Sequence, residues 1–160
     1  RPLGLDAATR PLLEAAAVLH DVGYHIAYER HHEHSYHLIV HSELTGLTRR
    51  ELVMVAAAAR YHTKGLPKER HEAWAAVDPR DRLATLAMAA LLRVADGLDR
   101  GRGASIGGVR VTDDGATTTF HVAAGGDLVA ERYGFERKRD LYEQTFGRVA
   151  VLEQDAEGAS

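Results

Sequence analysis

The sequence predicts a mainly α protein with a small α+β appendage at its C-terminal end. Three observations carry that reading. Apolar residues recur at helical spacing through the first two-thirds of the chain. A capping box opens the clearest of those helices. Past a glycine-rich stretch the pattern changes to short alternating runs around an Asp-Asp-Gly turn. With 160 residues the chain is one domain, or one domain and an appendage, and long enough to bury a core.

In chain order, Leu12, Leu13, Ala16 and Leu19 fall at the spacing of a first helix, Pro11 suits its first turn, and Gly23 reads as its stop. A second helix is expected from near His32, with His34, His37, Leu38 and His41 along one side. "TRRELVMVAAAARYH" is the third. Thr48 and Glu51 form its capping box, and its stripe of Leu52, Val55, Ala56 and Ala59 extends to His62. After a loop marked by Gly65, Pro67 and Pro79, a fourth helix runs from about Asp81 to Asp99. "RGRGASIGG" reads as a hinge and "GVRVTDDGATTTFHVA" as two strands. "DLVAERYGFERKRDLYEQTF" reads as one amphipathic helix and "RVAVLE" as a last strand. The expected division is 1–103 for the helical domain and 104–160 for a β-β-α-β appendage.

Composition narrows the function classes. A formal charge of −3 supplies no basic field to hold a nucleic acid duplex or an anionic membrane. The absence of cysteine excludes disulfides and thiolate metal sites and suits a reducing cytoplasm, the expected location. No stretch approaches the ~18 uninterrupted apolar residues of a membrane span, and no signal-peptide pattern opens the chain. The opening "RPLGLD" lacks an initiator Met, as expected of a fragment whose upstream residues are missing.

Seven of the ten histidines lie between Ala15 and His41. Four places put an imidazole or a carboxylate where a helix should show an apolar residue or its end. They are the pair His20 and Asp21, then His34, His62 and Asp96. A carboxylate against an apolar stripe must be paired, hydrogen-bonded or bound to a metal. His and Asp together suit zinc, iron, manganese or magnesium. Adjacent residues of a regular helix point about 100° apart, so His20 and Asp21 can meet one ion only at a helix end. Three of these places also have a plainer reading: a satisfied core histidine at His20, a C-terminal helix cation at His62, and an ion pair of Asp96 with Arg93 or Arg100. The remaining histidines read mostly as surface groups, with His31 and His32 able to contact an anionic ligand.

The strings "LLEAAAVLHDVG", "HHEHSYHLI", "RYHTKGLP" and "ALLRVADGLDR" resemble the HD-domain superfamily of metal-dependent phosphohydrolases. More narrowly, they resemble the C-terminal helical domain of the exopolyphosphatase / guanosine pentaphosphate phosphohydrolase family. The likeness covers Leu12 to Arg100 and, more loosely, the tail. It implies an HD-type helical bundle in which an early His, the doublet His20–Asp21 and Asp96 hold one divalent ion. His34 and His62 would add a second. The early His belongs some twenty or more residues ahead of the doublet, and this chain starts too late to contain it. No phosphate-cradling glycine-rich loop follows a strand.

The expected activity is hydrolysis of a phosphorylated small molecule, a nucleotide such as a guanosine polyphosphate, or polyphosphate, by a metal-activated water. One or two ions of manganese, iron, magnesium or zinc would serve. Asp21 would act at the metal, Lys64 and Arg93 would neutralise charge developing on a phosphoryl group, and Arg30, His31 and Lys64 would bind substrate. The competing reading is a non-catalytic module that binds an anion or polyphosphate, or forms a homodimer, through the same histidines. An open coordination position distinguishes the enzyme from a closed structural site.

Overall fold

Asp6 starts the first helix by accepting the Thr9 N–H and hydroxyl on its Oδ1, each at 3.0 Å. The computed structural model describes residues 5–101 and 106–155. The chain divides into two units, residues 1–92 and 93–160. Its mainly helical character is as expected, with one small sheet near the C-terminal end.

The first unit holds α1 (Thr9–Leu19), a 3-10 turn (Val22–His25), α2 (His31–Val40), α3 (Arg49–Arg60), α4 (Glu72–Ala75), a second 3-10 turn (Pro79–Asp81) and the first part of α5 (Arg82–Leu98). The capping box at Thr48 is formed. The Thr48 N–H donates to Glu51 Oε2 at 2.7 Å, and the Thr48 hydroxyl accepts the Glu51 N–H at 3.2 Å. Met54 to Ala59 are all buried. A helix apolar on every side belongs at the centre of its bundle, and α3 packs on α1, α2 and α4.

Two local readings change. Gly23 does not stop α1, which ends at Leu19; it lies in the 3-10 turn with its N–H on Ser35 Oγ at 2.9 Å. A Cβ on Gly23 would run into the His31 carbonyl and Ser35, so its role is close approach of two backbone segments. The second helix begins at His31, because Arg30 before it takes the left-handed conformation with φ 57°.

In the second unit β1 (Ile106–Asp113) and β2 (Thr117–Ala124) form an antiparallel hairpin, and β3 (Val149–Gln154) lies parallel to β2 on its other side. Alternation places Thr118, Phe120, Val122 and Ala124 of β2 in the core. Phe135 and Tyr142 pack edge-on against Phe120 at 5.6 and 5.3 Å. The single helix expected here is two, α6 (Val129–Lys138) and α7 (Asp140–Phe146). They part at Arg139, whose guanidinium donates to the Ala150 carbonyl of β3 at 2.6 Å, and α7 buries Leu141 and Tyr142. Gly97 and Gly134 let α5 and α6 touch backbone to backbone, since a Cβ on Gly97 would lie 3.0 Å from the Gly134 carbonyl oxygen. The hinge expected in "RGRGASIGG" falls largely on residues 102–105, outside the described residues. No described helix is long and apolar enough to cross a membrane.

Candidate metal centre

Three histidines from three segments of the first unit turn toward one carboxylate. His20 closes α1, still in helical conformation, and Asp21 follows in the bridge region at φ −101° and ψ 4°. The chain leaves the helix between them, which brings His20 Nε2 to 3.5 Å from Asp21 Oδ2. His62, just beyond α3, places Nε2 3.4 Å from Asp21 Oδ1. His31, the first residue of α2, places its own Nε2 3.4 Å from the same oxygen and 3.3 Å from that of His62. Among the described residues, His20, Asp21 and His62 have donor atoms close enough together to share an ion.

The other ring nitrogens decide the tautomers. Nδ1 of His20 lies 2.7 Å from the Ala17 carbonyl, that of His62 lies 2.6 Å from Ala59, and that of His31 lies 3.3 Å from Tyr28. A carbonyl can only accept, so each Nδ1 carries hydrogen and donates. In a neutral imidazole Nε2 is then a bare lone pair. Burial first, and the His62 ring next, push the His31 imidazolium toward deprotonation. Burial alone would raise the Asp21 carboxyl, but the contact with His62 and the charges of the three imidazoles hold it below the usual carboxylate range. The result is three Nε2 atoms and the Asp21 carboxylate facing one another. Such a set fits a divalent cation, and backbone acceptors behind the imidazoles are what orient metal-binding histidines.

The cluster is closed inside and open outside. His62 is 1% exposed at its side chain, whereas Asp21 keeps 40%. Two contacts align α2 and α3 beside it. Glu33 takes the Arg60 guanidinium at 2.8 Å and also bonds Arg30. Gly23 and Ser35 fix the doublet's turn on α2.

The site residues expected from the sequence divide between the two units. His20, Asp21 and His62 come together. His34 lies half-buried on α2 and is not among the described residues that contact Asp21. His31, expected to bind substrate, takes the place beside Asp21. No local signal in the sequence marks His31 for this place, which follows from the left-handed turn at Arg30. Lys64 is exposed two residues beyond His62, and Arg30 is exposed with its guanidinium on Glu33. Arg93 and Asp96 belong to the second unit. The Arg93 side chain is 2% exposed and donates to Asp140 at 3.1 Å, so it is a packed interior group there. Among the described residues the Asp96 carboxylate is bonded by the Lys138 ammonium, a partner outside the helical spacing of Arg93 and Arg100.

The first unit is helical, with a carboxylate ringed by oriented imidazoles whose donor atoms could share an ion. Residues 4–132 match the family described as Ppx/GppA phosphatase, domain III, and the chain belongs to that family. It is also 36% identical over 58 residues to a protein of Pseudoalteromonas translucida (strain TAC 125) named guanosine-5'-triphosphate,3'-diphosphate pyrophosphatase. That match takes in 36% of this chain and 12% of the relative's length.

Proposed function

We propose that this chain carries the metal centre of an exopolyphosphatase-related phosphohydrolase of the HD type, with His20, Asp21, His31 and His62 as ligands of a divalent ion. The observation that supports it is the convergence of three histidine Nε2 atoms on Asp21 at 3.4 to 3.5 Å. The donor set of imidazole nitrogen and carboxylate oxygen suits manganese, iron, zinc or magnesium. A divalent ion so held supplies acidified water and draws charge from a phosphoryl oxygen.

The chain's own residues do the rest. Asp21 brings the negative charge that anchors a cation, and its exposed side leaves room for a ligand, as a catalytic site requires and a closed structural site does not. Each Nδ1–H holds its ring toward that point. Lys64 and Arg30, both exposed and each within two residues of a ligand, are the cations that would meet a phosphoryl group. The substrate class is a phosphorylated small molecule, nucleotide or polyphosphate. The relative's name makes guanosine polyphosphates the first to try.

The test is hydrolysis of guanosine pentaphosphate and of inorganic tripolyphosphate with manganese, for the wild type and Asp21→Asn. Release of phosphate by the wild type, reduced about a hundredfold or more in Asp21→Asn, supports the reading. No hydrolysis of either by a manganese-loaded chain overturns it.

A further inference from the structure

The loop that carries the doublet into α2 holds three rings in a run. The His31 ring stacks on Tyr24, with centroids 4.1 Å apart and planes 18° apart, and Tyr24 stacks on Tyr28 at 5.4 Å and 27°. One end of the run is in the cluster, where His31 Nε2 lies 3.4 Å from Asp21. The other end is in solvent, where Tyr28 is 79% exposed.

An exposed tyrosine alone is ordinary. This one is held in place. Its ring is backed by Tyr24, and its carbonyl accepts the His31 Nδ1–H at 3.3 Å. Two residues later the chain passes through the left-handed conformation of Arg30, which a non-glycine side chain adopts only at a cost. A ring fixed before binding loses little side-chain freedom when a second ring covers it. Base–aromatic stacking is tolerant of base identity, because every base has a π-face.

We propose that Tyr28, backed by Tyr24, is a stacking platform for the planar ring of a phosphorylated ligand whose phosphate lies at the His20–Asp21–His31–His62 cluster. The ligand class is a nucleotide, in preference to a polyphosphate that has no ring. The Tyr28 and His31 ring centroids are 6.4 Å apart, so a ligand that takes both sites carries its ring and its phosphate across a span of that order. This rests on the proposed metal centre.

The experiment compares GTP with inorganic tripolyphosphate, which share a triphosphate chain and differ in the ring. Binding to the full chain in the presence of manganese is measured by calorimetry for the wild type, Tyr28→Leu and Tyr28→Phe. The wild type is expected to prefer GTP. Tyr28→Leu should weaken GTP about ten- to a hundredfold and change tripolyphosphate by less than about twofold, while Tyr28→Phe retains GTP. In a Tyr28→Trp variant, GTP and not tripolyphosphate should quench the new indole's fluorescence. Equal losses for both ligands in Tyr28→Leu, or no loss for either, overturns the platform and leaves the phosphate site standing. Failure of the wild type to bind either ligand removes the metal centre and the platform together.

Discussion

The Nε2 atoms of His31 and His62 lie 3.3 Å apart, although 31 positions separate the two residues in the chain. Nothing in either local sequence brings them together. The turn after α1 packs on α2 at Gly23, and Glu33 ties the start of α2 to the end of α3 through Arg60. The two contacts place His31 beside His62 and Asp21.

Gly23→Ala tests the first of these contacts. The added Cβ meets the His31 carbonyl and Ser35, so the variant should lose about 1–3 kcal/mol of stability by overpacking. It should also bind manganese more weakly, because His31 must move. Gly125→Ala, where a Cβ meets nothing within 4 Å, should leave both unchanged. Urea denaturation and calorimetric manganese titration of the two variants check this.

Glu33→Gln tests the second contact. Its partners Arg30 and Arg60 stay in place, and the side chain is 25% exposed, so the stability lost should be under about 1 kcal/mol. The alignment of α2 on α3 depends on the pair, so manganese affinity should fall several-fold while the melting temperature barely moves. A titration of the variant beside a thermal melt separates the two effects.

In the second unit, Gly134→Ala should destabilise by about 1–3 kcal/mol, because a Cβ there meets the Gly97 carbonyl of α5. The loss should appear in denaturant unfolding followed by tyrosine fluorescence.

Acid should loosen the hairpin of the second unit. The Gly115 N–H, then the Thr118 hydroxyl and Arg148, hold Asp113 below its usual value, and the Thr117 and Ala116 N–H groups do so for Asp114. A depressed folded pKa contributes stability that is complete above the ordinary aspartate value and is lost as pH falls through the folded one. Amide exchange in β1 and β2 should therefore be flat above about pH 5 and accelerate below about pH 4, beyond the intrinsic pH effect. Asp113→Asn together with Asp114→Asn should remove that excess.

The legible parts of this chain were those written in neighbouring residues. Thr48 and Glu51 marked the start of α3, and Asp113–Asp114–Gly115 marked the hairpin turn, since each device closes within a few positions. His20, Asp21 and His62 stood out because each meets the end of a helix that is otherwise apolar on its buried side. What distance along the chain decides was not legible. A regular helix from near His32 would point His34 inward. The left-handed turn at Arg30 starts the helix at His31 and delivers that ring to Asp21 instead. Asp96 meets Lys138, 42 positions away, and no helical spacing announces that partner. Arg139, where α6 and α7 part, meets the Ala150 carbonyl of another element.

The most direct test of the account is the manganese affinity of His31→Ala beside that of His34→Ala, each compared with wild type by calorimetry and checked for one equivalent of bound metal by elemental analysis. His31→Ala should lose about a hundredfold or more in affinity, as for a removed ligand, while His34→Ala stays within about threefold. A large loss in His34→Ala with His31→Ala unaffected, or no manganese bound by the wild type, would contradict it.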